Sequence, residues 1–258
     1  MNIGFPPRVF YGWWLVGMSY PLAMLPIAFV SFGFGFFIKP LQGEFGWSVT
    51  QIVLVLSLAR LEGGILNPVA GFLIDRWGAR RVVLIGQLLV GLGLVLTSHV
   101  QELWQFYAAM LIAIGGSSFG AFFPMTTLVV RWFVRRRAFA MSLVTITASG
   151  GQMLLPAVAF FITLLGWRDA LMAMGLIVWA VGLPLGFLIR NDPYEYGMLP
   201  DGDPPASVSK KEREDTADTA LPAAHLGISW RQAVRLQPFW LIGIGMAIWS
   251  LYHGSVRV

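Results

Sequence analysis

The sequence has no cysteine and only three histidines, His99, His225 and His253, far apart along its 258 residues. The first absence removes disulfides, thiol nucleophiles, iron–sulfur clusters and cysteine-based zinc sites, and the second leaves no His-rich metal site. Charge is scarce as well. Asp, Glu, Lys and Arg make up 12% of the chain, apolar residues reach 57%, and the mean hydropathy is +0.70, whereas an ordinary soluble domain is about 25% charged. That balance excludes a soluble globular domain. With 18 Lys and Arg against 13 Asp and Glu the pI is near 9.9. A nucleic-acid footprint, however, needs a polar body around it, and here the cations sit in short breaks between apolar runs, so we expect lipid and no nucleic acid. A phosphate-cradling Gly-rich loop with Lys, a nucleophile elbow and an H-E-x-x-H helix are all missing, so the residues support no enzymatic reading, no cofactor and no metal. The run after Arg8 is too long for a signal-peptide core and reads as an uncleaved first span.

What the chain has in abundance is long apolar runs. A hydrocarbon core about 30 Å thick needs roughly 20 apolar residues per helix. Six complete runs satisfy this: Tyr11 to Phe37, Gln51 to Ile74, Val82 to Ser98, Trp104 to Val130, Ala138 to Leu165 and Ala170 to Ile189. A seventh begins near Phe239. The expected fold is all-α and polytopic. Arg8, the Arg76, Arg80, Arg81 group, the Arg131, Arg135, Arg136, Arg137 group and the segment after Arg190 fall on one side, against Lys39 and Arg168 on the other. Because positive loops stay inside, this alternation predicts a cytoplasmic N-terminus in an inner or plasma membrane. The one long polar stretch, Asn191 to Gln237, has the composition of a mostly disordered linker. Its last part, ISWRQAVRLQ, reads either as a surface amphipathic helix or as an unstructured approach to Pro238.

Two self-matches suggest an internal repeat. SFGFGFF from Ser31 pairs with SFGAFF from Ser118, and PVAGFLIDRWGARR from Pro68 pairs without gaps with PAVAFFITLLGWRD from Pro156. The second match aligns Pro68 with Pro156, Gly78 with Gly166 and Arg80 with Arg168. Because three spans intervene, equivalent helices run in opposite directions, which is an inverted 3+3 arrangement.

The connection between spans 2 and 3 reads GFLIDRWGARR, from Gly71 to Arg81. Gly71 allows close helix approach, Gly78 a tight turn, and Asp75 sits at a helix end among Arg76, Arg80 and Arg81. This spacing resembles the signature loop of the major facilitator superfamily. FYGWW, FGFFIKPLQGEFGWS, RWFVRRRAFAMSL, LGWRDAL and DPYEYGMLPDG are together similar to its monocarboxylate porter and oxalate/formate antiporter branch, from about Tyr11 to the end of the chain. The resemblance implies residues 1–190 as a six-helix N-terminal bundle, 191–237 as a central loop, and 238–258 as the first helix of an incomplete second bundle. It also implies secondary transport of a small mono- or dicarboxylate by alternating access, as proton symport or anion exchange, with the pathway completed by the missing half or by another copy. In the same way it implies that Asp75 pairs with an arginine of another span, Arg131 being the candidate, to form a gate. Other readings stay open: a truncated, non-transporting remnant or membrane partner, or a carrier of a drug or sugar.

Within the spans the ionised residues are Arg60 and Glu62, each costly in lipid and therefore expected to face protein or water. Two positions apart, they lie roughly 160° from each other on a helix. Gly63, Gly64, Asn67 and Gly71 share Arg60's side, so Arg60 and Asn67 are the candidate pathway pair, and Glu62 is expected to contact a neighbouring helix. Ser31, Thr147, Ser149 and Gln152 are further polar groups at membrane depth, of which Ser31, Ser149 and Gln152 join the pathway candidates. Gly116 with Gly120, and Gly182 with Gly186, have the spacing of helix packing.

Overall fold

The computed structural model describes residues 10–120, 122–196, 198–202, 240, 241 and 245. The stretch 228–237, read as a surface helix or an unstructured approach to Pro238, and nearly all of the seventh run lie outside these. Among the described residues there are helices and no strands. Span 1 runs through α1 (Tyr11–Pro26), a π-helical segment (Ile27–Phe32) and α2 (Phe34–Phe45). Span 2 is α3 (Val49–Trp77) and span 3 is α4 (Ala79–Ser98). Span 4 comprises α5 (Leu103–Gly120) and α6 (Phe122–Trp132). Span 5 comprises α7 (Arg137–Gly150), a 3-10 turn (Gly151–Leu154) and α8 (Leu155–Leu165), and span 6 is α9 (Trp167–Leu188). Five of these stretches are long and apolar enough to cross a bilayer, or six when α3, bent by 45° between Gly64 and Leu66, counts as one span.

Local chemistry sets the boundaries. Ser48 and Gln51 form a capping box at the start of α3: the Gln51 N–H donates to the Ser48 hydroxyl at 3.2 Å and the Ser48 N–H donates to the Gln51 side chain at 2.9 Å. Gly78 (φ 81°) and Gly166 (φ 82°) make the turns into α4 and α9, a conformation that L-residues with a Cβ rarely adopt. These are the two glycines aligned by the internal repeat. The likeness extends into the spans. Shifted by 87 residues, the bend of α3 falls on 151–153, inside the 3-10 turn that breaks span 5.

The core forms two layers. One, near the end of the bundle that carries Tyr11, gathers Leu15, Leu22, Ile74, Val83, Leu128 and Trp132; the other, toward the opposite end, gathers Phe29, Phe34, Leu94, Phe106, Met110 and Met174. We refer to these as the near and far ends. Helix α4 threads both layers, packed between α5 and α9. Glycine makes that possible: a Cβ on Gly116 would lie 2.6 Å from the Val90 nitrogen, and one on Gly120 2.8 Å from the Gly86 carbonyl carbon. Gly182 and Gly186 approach Gln87 and Leu84 in the same way. The fourfold glycine spacings are thus packing devices.

Between the layers lies Gln87, fully buried, which the sequence reading passed over. Its amide nitrogen donates to the Leu22 carbonyl at 2.9 Å and to the Gly120 carbonyl at 2.8 Å, tying span 3 to spans 1 and 4. Interhelical hydrogen bonds in membranes average about 0.6 kcal/mol and reach about 1.7. Gln87→Ala is therefore expected to lower stability by about 1–3 kcal/mol once lost packing is added. Gln87→Met, which keeps the volume, should cost less. Chemical denaturation in detergent checks both.

The far end is closed by Arg168. Its guanidinium donates to the Ser98 and Val100 carbonyls at 2.8 and 3.0 Å and to Glu44 at 2.8 and 3.1 Å, and it lies 4.5 Å from the Trp167 ring centroid. Trp167 Nε1 donates to the other Glu44 oxygen at 2.7 Å. One side chain thus joins spans 1, 3 and 6.

Candidate functional site

The candidate pathway residues divide by element. Arg60 and Asn67 are both exposed on α3, on the side left open by Gly64, where an added Cβ would meet nothing within 4 Å. Helix α3 packs on α5 and α4 with its other face, and that face carries Glu62. The Glu62 Oε1 atom lies 2.5 Å from where a Cβ on Gly115 of α5 would stand, and Oε2 is buried without a hydrogen-bond partner. Arg60 and Glu62 therefore diverge as their spacing required, one outward and one into the α3–α5 contact.

Ser31, Ser149 and Gln152 are also exposed, and the structure brings them to a different junction. There the 3-10 turn of span 5 meets the π-helical segment of span 1: a Cβ on Gly151 would be 3.0 Å from Ile27 Cγ2 and 3.2 Å from the Ala28 nitrogen. The backbone departs from α-helical geometry on both sides of that contact, and α3 bends by 45° between Gly64 and Leu66, about a turn beyond Arg60. Thr147, by contrast, is buried and donates to the Val144 carbonyl at 2.6 Å, which makes it a packing residue.

Within the bundle a pocket opens between Phe29, Phe34, Phe37, Phe106, Met110 and Leu171. Its one polar lining residue, Thr97, spends its hydroxyl on the Gly93 carbonyl at 2.7 Å. Such a site cannot compensate an anion's lost hydration. The exposed face with Arg60 can. No group of acidic or histidine side chains able to hold a metal occurs among the described residues.

At the near end, Arg131 at the end of α6 places Nη2 3.8 Å from Asp75 Oδ1. The Asp75 side chain is 78% exposed. Pairs of this kind contribute about 0–1 kcal/mol. Gly71 is half-buried, with Phe123 at 4.0 Å from an added Cβ. Arg76 and Arg81 are exposed, whereas Arg80 directs its guanidinium over the Phe187 ring at 5.9 Å and gives its backbone N–H to Asn191 Oδ1 at 2.9 Å.

Hydropathy predicts a polar linker from Asn191, but the described residues through Gly202 belong to the packed end of the bundle. Asp201 accepts the backbone N–H groups of Val134, Arg135 and Arg136 at 3.0, 2.7 and 3.4 Å. Compactness accordingly divides the chain after Pro205.

The sequence model of the Major Facilitator Superfamily matches residues 20–256. The chain belongs to the major facilitator superfamily. It is a multi-pass membrane protein, with the all-α bundle of that family. Within the superfamily it is similar to monocarboxylate transporters. Monocarboxylate transporter 11 of Mus musculus is 30% identical over 230 residues, 88% of this chain and 47% of that protein. Monocarboxylate transporter 7 of Homo sapiens is 31% identical over 172 residues, 64% and 32% of the two chains. Monocarboxylate transporter 1 of Homo sapiens is 28% identical over 232 residues, 83% and 41%. The chain spans less than half the length of these relatives.

Proposed function

We propose that the complete protein carries small organic anions, mono- or dicarboxylates, across an inner or plasma membrane as a secondary transporter, and is not an enzyme. The observation that carries this reading is Arg60: a guanidinium exposed at mid-span beside Asn67, on the open face of α3, in a chain similar to monocarboxylate transporters. A cation at membrane depth is expensive in lipid and is retained where it meets water or a ligand. Ser31, Ser149 and Gln152, at the separate junction of spans 1 and 5, would supply neutral hydrogen bonds to the pathway. Residues 1–190 form one wall, the central loop follows, and a second six-helix bundle completes the pathway. Alternating access then moves the two walls about the site, by symport with protons or by exchange. The near end, rich in arginine, is the cytoplasmic one, and the Asp75–Arg131 pair gates it.

Counterflow in proteoliposomes holding the complete protein tests the substrate class. Labelled oxalate, formate, lactate or pyruvate should accumulate against an unlabelled internal carboxylate, and neutral sugars should not. Accumulation of neutral solutes alone removes the carboxylate reading.

A further inference from the structure

The Asp75–Arg131 pair is too exposed and too long to set its own geometry. The backbones that carry its two members are instead held from behind by residues 190–196 and 198–202. On the Asp75 side, the chain leaves α3 through Gly78. The Asn191 amide fills the place a Cβ would take there, 2.6 Å from it, and Asn191 Oδ1 accepts from the Arg80 N–H. On the Arg131 side, the chain leaves α6 through Phe133, and the next three N–H groups converge on the Asp201 carboxylate.

Between these two anchors the segment is fixed to the bundle. The Arg190 guanidinium lies 4.9 Å from the Tyr11 ring centroid and 4.3 Å from that of Tyr196. Trp132 Nε1 donates to the Arg190 carbonyl at 3.3 Å, and the Tyr11 hydroxyl donates to the Leu188 carbonyl at 2.6 Å. At its end, Asp201 (φ 60°) is the one non-glycine residue with positive φ among the described residues. Gly202 follows at φ 75°, with the Phe10 ring 2.8 Å from an added Cβ. Such a conformation persists only where the surroundings over-determine it. Here the three N–H bonds and the Phe10 contact do so.

We propose that Asn191 and Asp201 are positioning residues for the Asp75–Arg131 gate, and that residues 190–196 and 198–202 act as a clasp joining the near-end loops of the two repeats. This rests on the gating role proposed above for that pair. The clasp spans the repeat boundary, since Gly78 belongs to the first three spans and Val134–Arg136 to the second three. Releasing either anchor lets its loop, and with it one member of the pair, drift.

The experiment uses the complete protein in lipid nanodiscs, without substrate, so that a failure of the carboxylate assignment leaves its result untouched. Spin labels on cysteines introduced at Trp77 and Val134, both exposed, report the separation of the two loops by pulsed dipolar spectroscopy. A narrow distance distribution is expected in the parent and in Asp75→Asn, because the pair does not hold the loops, and a broad one in Asp201→Ala, no broader in the double variant. Asp201→Glu should restore the narrow distribution. Trypsin cleavage at Arg135–Arg137 should be about fivefold faster in Asp201→Ala. If Asp201→Ala broadens nothing while cleavage accelerates, Asp201 merely caps a loop and the proposal falls. It falls also if Asp75→Asn broadens the distribution as far as Asp201→Ala does, because the pair then holds the loops itself. Asn191→Ala, which leaves Asp201 intact, is expected to broaden the same distribution and serves if Asp201→Ala does not fold.

Discussion

Gly86→Leu is expected to abolish the folded bundle. The position faces Gly120 and the Gly116 carbonyl across the α4–α5 contact, and an added Cβ would overlap the Gly120 backbone and lie 2.7 Å from the Gly116 oxygen. A flexible neighbour could turn aside, but a helix backbone cannot without moving the helix. Overpacking commonly costs about 1–3 kcal/mol and more where the obstacle is rigid, against a total stability of about 5–15 kcal/mol. Separation of α4 from α5 would also strip Gln87 of its bond to the Gly120 carbonyl, so the losses compound. The variant should give no monodisperse peak on size-exclusion chromatography in mild detergent. Gly35→Leu, at an exposed position with nothing within 4 Å of an added Cβ, should elute as the parent does. A monodisperse Gly86→Leu protein would mean that α4 and α5 do not pack backbone to backbone.

Arg60→Ala is expected to leave folding intact and to weaken carboxylate transport. The side chain is exposed, so truncation opens no buried cavity. A hydrogen bond to a charged group is worth about 1.5–3 kcal/mol, which corresponds to roughly a 10- to 150-fold loss of apparent affinity. Arg60→Lys, which keeps the charge but loses the planar fork, should fall between. The checks are concentration-dependent uptake and competition by neutral analogues in proteoliposomes of the complete protein. Unchanged affinity and unchanged anion selectivity in Arg60→Ala would make Arg60 a structural residue.

Most of the architecture was legible because it rests on features that repeat along a line. Apolar runs, the cations between them, glycines four apart and the Gly78/Gly166 alignment all read directly from the letters. The divergence of Arg60 from Glu62 followed from helical angle alone. Residues whose partners are far away in sequence were not legible. Arg168 reads as a lone cation in a loop, yet it binds carbonyls 70 and 68 positions away and Glu44 124 positions away. Its alignment with Arg80 matched the turn rather than the bonding, since Arg80 engages Asn191 through its backbone. Asn191 and Asp201 lie in a stretch whose composition belongs to linkers, and their order comes from a few directed hydrogen bonds that a hydropathy window averages away. Gln87 was hidden by its neighbours, one amide in an otherwise apolar span.

The interruptions at Gly64–Leu66, at Ile27–Phe32 and at Gly151–Leu154 have a mechanical meaning. A regular α-helix resists bending because each residue is locked to the one four positions on. Where that ladder is already disturbed, flexing surrenders little that has not been given up. Span 3, uninterrupted and glycine-packed, forms a stiff spar, while spans 1, 2 and 5 each have a compliant joint at mid-depth. A bundle built this way can change the tilt of its two ends while its centre stays put.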